Sequence, residues 1–182
     1  MCAIRTSSRS QGIALTAILS AVYVAYALLS SYTVGAITHG MENFIIRSLL
    51  FVILIAFTTG LGYSTLMGGI SGLVLEFTIP TPVRFHLLPS LFAYGLVFDL
   101  ITNFPISLLM DPSTLRVLIA TILASTAMSS VALTVFTLVG FFPPALISII
   151  WALEITTDVI LGIIGTIIGL ALTRQLKHLR PQ

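Results

Sequence analysis

The sequence predicts an all-α, polytopic integral membrane protein with six transmembrane helices. Of its 182 residues 57% are hydrophobic and only 8% are charged, and the mean hydropathy is +1.12. A soluble domain carries about 25% charged residues, so this chain cannot cover its own surface in water. Apolar segments near the length of a span, about 20 residues, recur along it, and polar or Gly- and Pro-rich breaks separate them.

The six segments follow one another with short connections. We predict helices over residues 12–31, 42–59, 63–79, 85–102, 114–139 and 145–173. The third ends at a break with two prolines, Pro80 and Pro82, which cannot continue a helix. Residues 103–114 predict a loop with a short amphipathic piece, and its Asp-Pro-Ser-Thr sequence is a helix-start signal.

Positive charge is concentrated at the two ends of the chain. Six of the eight Lys and Arg residues fall on one predicted side: Arg5, Arg9, Arg116, Arg174, Lys177 and Arg180. Basic loops face the cytoplasm, so both termini are predicted there, and an even number of spans follows. We therefore expect a cytoplasmic N-terminus (1–11), a six-helix domain (12–173) and a basic cytoplasmic tail (174–182) in the cell membrane. The first apolar segment is long for a signal peptide and predicts a retained helix.

An acid, Glu76, lies in the last turn of the third predicted helix, and Arg84 and His86 follow the proline break. A carboxylate in an apolar run is costly in lipid, so it faces protein, water or a ligand. Two interpretations stay open. The three side chains form one wall of a binding pocket, or they form an ion pair that fixes the corner between helices.

A second pair of acids, Glu154 and Asp158, shares one face of the sixth predicted helix. Two like charges repel there, so at least one is expected to be neutral, paired or bound to a cationic ligand. The alternative is internal helix packing, with Trp151 as an interface anchor. Glu42 opens the second helix and stays an open candidate, whereas Arg47 is expected to extend its charge to the interface.

Several kinds of chemistry find no support in the sequence. The phosphate-binding GxxxxGK[ST] loop, the GxSxG nucleophile motif and the HExxH zinc motif do not occur, and an enzyme is not expected. The single cysteine, Cys2, excludes a cysteine metal cluster within the chain, and we expect no metal and no cofactor. A net charge of +2 gives no reason to expect nucleic acid as a partner.

The positions of several small residues and acids resemble those of a known family. Helix one has Ala17, Ala21 and Ala25 at four-residue spacing, and helix three reads GYSTLMGGISGLVLE. Acids open helix two, end helix three and lie late in helix four, as Met41-Glu42-Asn43, Val74-Leu75-Glu76 and Val97-Phe98-Asp99. Over roughly residues 14–102 the chain resembles the S components, the substrate-binding subunits of energy-coupling factor (ECF) vitamin transporters. Within them it is most similar to the hydroxymethylpyrimidine and thiamine-related group.

The resemblance implies a function that composition cannot give. An S component captures a vitamin or precursor from outside, docks on a transmembrane T component through the alanine face of helix one, and relies on two cytoplasmic ATPases. The expected substrate-binding residues are Glu42, Glu76, Arg84, His86, Tyr94, Trp151, Glu154 and Asp158. Glu76 and Glu154 would accept hydrogen bonds from a basic aminopyrimidine, and Tyr94 and Trp151 would stack on its ring.

Two other functions remain open at this stage. One is a self-sufficient cation- or proton-coupled transporter in which Glu154 and Asp158 relay protons. The other is a membrane scaffold subunit whose acids are structural. A cobalt or nickel S component is a further variant, but the chain lacks a metal-ligating N-terminal motif. If the vitamin assignment holds, Glu76→Gln is expected to lose substrate binding while the protein still folds.

Overall fold

All regular secondary structure in the described residues is helical. The structure is a computed structural model that describes residues 9–33, 41–58, 60–79, 81, 83, 85–103 and 114–178. Its helices are α1 (Arg9–Tyr32), α2 (Glu42–Phe57), α3 (Tyr63–Thr78), α4 (Leu87–Asn103), α5 (Thr114–Leu138) and α6 (Ile147–His178), with a 3₁₀ turn at Pro144–Leu146. The predicted boundaries agree within about three residues, except that α6 continues past Thr173. The predicted amphipathic piece of the 103–114 loop lies outside the described residues.

The six helices form a ring. Going around it, α1 packs against α3, α3 against α4, α4 against α5, α5 against α6, α6 against α2, and α2 against α1. Contacts between Glu42 and Ser30, and between Trp151 and Thr137, join the ends of α1 and α5 to the starts of α2 and α6. We call this the upper end of the bundle. The end at which α1, α3 and α5 begin is the lower end.

Glycines bring α3 and α4 unusually close together. A Cβ at Gly68 would overlap the carbonyl oxygen of Leu91, and one at Gly72 would lie 2.8 Å from the Cα of Leu88. On α4, a Cβ at Gly95 would overlap the carbonyl oxygen of Ser64. The small residues of α3 are therefore used in close packing against α4.

Each helix of this pair supplies a carboxylate to the N-terminus of the other. Asp99, near the end of α4, accepts hydrogen bonds from the backbone N–H groups of Gly62 (3.1 Å), Ser64 (3.2 Å) and Thr65 (2.7 Å) at the start of α3. Glu76, near the end of α3, accepts from the N–H groups of Phe85 and Leu88 (3.0 Å) at the start of α4. The first N–H groups of a helix have no partner within it, and its positive end favours an anion. The two carboxylates therefore fix the α3–α4 pair at both ends.

Among the described residues, three stretches are long and apolar enough to cross a membrane: Arg9–Tyr32, Thr114–Leu138 and Pro144–Leu176. The helix Leu87–Asn103 is apolar but shorter. The helices α2 and α3 have 16 residues each and α4 has 17, against 24, 25 and 32 for α1, α5 and α6. The bundle thus combines three long helices with three short ones.

The α3–α4 contact predicts opposite outcomes for adjacent glycines. Gly68→Ala should lower the melting temperature strongly, because the added methyl group meets the backbone of α4. Gly69→Ala should have little effect or raise it, since its nearest neighbour is the Phe92 ring at 3.6 Å and alanine favours helix. Thermal unfolding of the purified protein in detergent measures both, and equal effects at the two positions would contradict this packing.

Candidate functional site

Arg47 lies at the centre of the helix ring and is fully buried, with 0% of its surface exposed. This corrects the expectation that its charge reaches the interface. Its guanidinium forms an ion pair with Asp158 of α6, whose side chain is also buried. A charged group in a medium of low dielectric constant is stable only with a partner of opposite charge. The buried face of α2 directs Arg47 inward, towards the acid on α6.

Other helices complete the surroundings of this ion pair. From α5, Ser129 donates to the second oxygen of Asp158 at 2.7 Å. From α4, the ring of Tyr94 lies 4.3 Å below the Arg47 guanidinium, close enough for a cation–π interaction. The Tyr94 hydroxyl is 3.0 Å from the Ser48 hydroxyl of α2. The predicted substrate-binding residues Asp158 and Tyr94 are therefore both engaged with Arg47, in a cluster that joins four helices.

Glu154 lies one helical turn above Asp158 on α6 and is half-buried. It lies within electrostatic range of both Asp158 and Arg47. Within the described ranges, no hydrogen bond or ion pair reaches its carboxylate. Trp151, three residues earlier on the same helix, is also half-buried, and its indole N–H donates to the Thr137 hydroxyl at 3.3 Å. The two residues offer a carboxylate and an aromatic ring on neighbouring positions of one face.

Glu76 borders an open cleft at the upper end. The cleft has a volume of about 490 Å³ and is lined by Tyr32, Glu76, Phe77, Thr78, Ile79, Thr81 and Phe85. Both carboxylate oxygens of Glu76 accept backbone N–H groups of the α4 start. One of these belongs to Phe85, whose φ of 68° is rare for a bulky residue. Glu76 thus fixes the corner between α3 and α4, and Arg84, its expected partner, lies outside the described residues.

His86 is buried at the start of α4, with 8% of its surface exposed. Its Nδ1–H donates to the Val83 carbonyl at 2.8 Å, and its ring packs on Phe136 of α5 with 4.7 Å between centroids. Burial lowers the pKa of His86, and the Val83 carbonyl and the Glu76 charge offset this only in part. The neutral imidazole of His86 therefore contributes to the packing of the corner between α3 and α4.

Glu42 and the alanines of α1 occupy different surfaces. Glu42 accepts a hydrogen bond from Ser30 of α1, so it joins the upper ends of α1 and α2. Ala17, Ala21 and Ala25 are all exposed. The buried face of α1 is instead Gly12, Thr16, Leu19, Ser20, Tyr23, Ala27 and Ser30. The alanine stripe therefore lies on the outside of the bundle and is not used in packing among the described residues.

Family models, curated proteins and solved structures give no match to the chain. Where residues are described, no three His, Cys, Asp or Glu side chains lie close enough together to hold a metal ion.

Sequence reasoning missed two residues with central roles. Arg47 was assigned to the interface because it lies only five positions into α2. The signal that favours burial is its apolar surroundings, FIIRSLL, together with two acids on one face of α6. The sequence places Asp99 toward the far end of helix four but predicts no partner for it. Its position opposite the glycine turn at 60–62 indicates a helix cap once α3 and α4 are paired.

The Arg47–Asp158 ion pair predicts a strong difference between single and double substitution. Arg47→Met should destabilise the protein by about 3–5 kcal/mol, because it leaves a buried carboxylate without its cation. The double variant Arg47→Met/Asp158→Leu should recover most of that loss, since replacing a whole buried pair by apolar groups is often neutral. Unfolding in detergent compares the two, and a double variant as unstable as the single one would refute the pairing.

The burial of His86 predicts a loss of stability at acid pH. Because its pKa is lower in the folded protein than the ordinary value of about 6.5, the unfolded chain takes up the proton first. The melting temperature should therefore fall as the pH drops below about 6.5, and this contribution should be constant above it. His86→Phe keeps the packing on Phe136 and should make the decline between about pH 7 and pH 5 smaller. An unchanged pH profile would show that His86 titrates as an exposed histidine.

Proposed function

We propose that this chain is the high-affinity substrate-binding membrane subunit, the S component, of an ECF-type importer. In this proposal all six helices cross the cell membrane, both termini are cytoplasmic, and the upper end faces outward. Partner subunits hydrolyse ATP. The observation that carries the proposal is a half-buried acid, Glu154, without a donor among the described residues, one turn above an ion pair that is already complete.

Glu154 is the main candidate for ligand binding because the neighbouring acid, Asp158, is already engaged by other side chains. Asp158 has both oxygens engaged, one by Arg47 and one by Ser129. Glu154 has no such partner in the described part of the chain, and a carboxylate kept inside a helix bundle without one is a functional candidate. A substrate with an amino group or a protonated ring nitrogen would supply the missing donors through charge-assisted hydrogen bonds.

The aromatic ring of Trp151 favours a flat substrate. It lies near Glu154 on the same helix and is only half-buried, so a substrate ring can stack on it. A carboxylate beside an aromatic ring suits a cationic or amino-substituted heterocycle. A thiamine-related aminopyrimidine, such as hydroxymethylpyrimidine, is our first candidate for the substrate.

The other predicted site residues have supporting roles in this proposal. Asp158 and Tyr94 position Arg47, which lies below Glu154 in the proposed site. Glu42 joins the upper ends of α1 and α2. Glu76 and His86 fix the α3–α4 corner at the rim, and Arg84 remains a predicted contact there. Because Glu76 caps α4, Glu76→Gln should lower stability as well as binding, so it tests the function less directly than Glu154 does.

The partner proposed for the outside of α1 is the transmembrane T component. Ala17, Ala21 and Ala25 are exposed and follow one another at four-residue spacing, so a second helix can approach α1 closely there. Two cytoplasmic ATPase subunits would complete the transporter. This division of labour agrees with a sequence in which no GxxxxGK[ST] loop occurs.

A self-sufficient proton-coupled transporter is the second candidate function. It needs an acid that can gain and lose a proton, and Glu154 meets that requirement. Asp158 suits a relay poorly, because its protonation would leave Arg47 as a buried charge without a partner. Uptake by cells that lack all ECF ATPase and T subunits would favour this alternative, whereas uptake that depends on them favours the S component.

Substitution of Glu154 gives the direct test. Protein purified alone should carry a small aromatic amine identifiable by mass spectrometry, and hydroxymethylpyrimidine or thiamine should raise its melting temperature. Glu154→Gln should weaken that binding by at least tenfold without lowering the melting temperature of the ligand-free protein, because no structural partner is lost. Thr156→Val, on an exposed face of the same helix, is the matched control.

The outcomes separate the proposals. Binding that is lost in Glu154→Gln and kept in Thr156→Val supports the substrate site. If Glu154→Gln binds the ligand as tightly as the unchanged protein does, Glu154 is not part of the substrate site. If no copurifying molecule and no stabilisation by either compound is found, the aminopyrimidine assignment fails and the scaffold alternative gains weight.

A further inference from the structure

The outward side of the α3–α4 pair is too short for an ordinary bilayer. At 1.5 Å per residue, the 16 residues of α3 and the 17 of α4 span about 24–26 Å, whereas the hydrocarbon core of a bilayer is about 30 Å thick. We propose that this side, which we call the short flank, is an interaction surface for a locally thinned bilayer. The inference rests on the membrane-spanning part of the proposed function and does not depend on the substrate.

The short flank faces lipid and not the protein interior. Its exposed large apolar side chains are Leu66, Ile70, Leu73, Val74 and Phe77 on α3, and Phe92, Leu96 and Leu100 on α4. The exposed polar residues Thr78 and Asn103 end the two helices, and the exposed Leu61 and Phe85 lie just before the starts of α3 and α4. The helix α2 is equally short, but none of its residues is fully exposed, so its length need not match the lipid.

The other side of the ring has a much taller apolar surface. The helix α3 packs against α1 and α4, whereas α6 packs against α2 and α5, so α3 and α6 lie on different sides. On α5 the exposed apolar residues extend from Leu115 to Leu138, a rise of about 35 Å. On α6 they extend from Ile149 to Leu172, before the exposed Arg174, also a rise of about 35 Å. The apolar outer surface of the bundle therefore has a different height on each of its two sides.

Lipid can accommodate the two sides in different ways. A long apolar helix fits an ordinary bilayer by tilting, but a short one requires the bilayer to thin around it. The short flank cannot lengthen, because Glu76 and Asp99 close both of its ends and glycines lock its helices together. The deformation therefore falls on the lipid, and lipids with short acyl chains should be preferred at α3 and α4.

Reconstitution in bilayers of graded thickness tests this preference. The full-length protein is placed in phosphatidylcholine vesicles whose monounsaturated chains have from fourteen to twenty-two carbons, and its melting temperature is measured in each. We expect the highest value with fourteen or sixteen carbons and a steady decline with longer chains. A maximum at twenty or twenty-two carbons, or no dependence on chain length, would overturn the inference.

Two variants locate the effect on the short flank. The double variant Thr78→Leu/Asn103→Leu extends the apolar band of the short flank at both edges. The acyl-chain length that gives the highest melting temperature should therefore increase by at least one step of the series. Thr134→Leu adds an apolar side chain to α5 within the range that is already apolar, so its optimum should not move. An optimum that moves equally in both, or in neither, would contradict the assignment to α3 and α4.

The experiment also keeps this inference apart from the proposed function. Extraction of the protein from every vesicle by alkaline carbonate would refute the membrane-spanning arrangement, and both proposals would fall together. Stable insertion without any response to chain length would refute only the thinning. Binding of an aminopyrimidine in detergent is independent of either result.

Discussion

The buried guanidinium of Arg47 imposes the main constraint on this bundle. A cation in the middle of an apolar helix ring has to be neutralised and hydrogen-bonded, since its desolvation otherwise costs several kcal/mol. Asp158 supplies the charge, Ser129 holds Asp158 in place, and the Tyr94 ring covers the guanidinium from the side of α4. The rotations of four helices are thereby tied to one another. The same interaction leaves Glu154 as the acid that is not committed to structure in the described residues.

A second constraint acts on the α3–α4 pair. In a membrane, backbone N–H groups at helix ends cannot rely on water deep in the bilayer, so nearby carboxylates are effective caps. Glu76 and Asp99 perform this task reciprocally, and the glycines between them allow the backbones to approach. Acids in apolar helices thus have two different uses in one protein. Those at the helix corners accept hydrogen bonds from backbone N–H groups, whereas Asp158 neutralises the buried Arg47.

These two constraints place the capped helix pair and Glu154 in different parts of the ring. The α3–α4 pair is closed by its caps and has a short outer face, while Glu154 and Trp151 lie on the long helix α6. Glu154 and Trp151 can therefore be substituted without disturbing the capped pair. The exposed alanines of α1 lie on yet another surface.

The sequence by itself determined the all-helical class, the presence of helices long and apolar enough to cross a membrane, and nearly all boundaries of the six helices in the described residues, because hydropathy and Gly or Pro breaks act locally. It also singled out Glu76, Glu154 and Asp158 as acids that need a partner. Which partner each one has was decided only by the tertiary structure. The sequence placed Arg47 at the interface, whereas packing turned it inward to Asp158. Partner choice depends on how helices rotate and pair across the ring, and no local pattern contains that information.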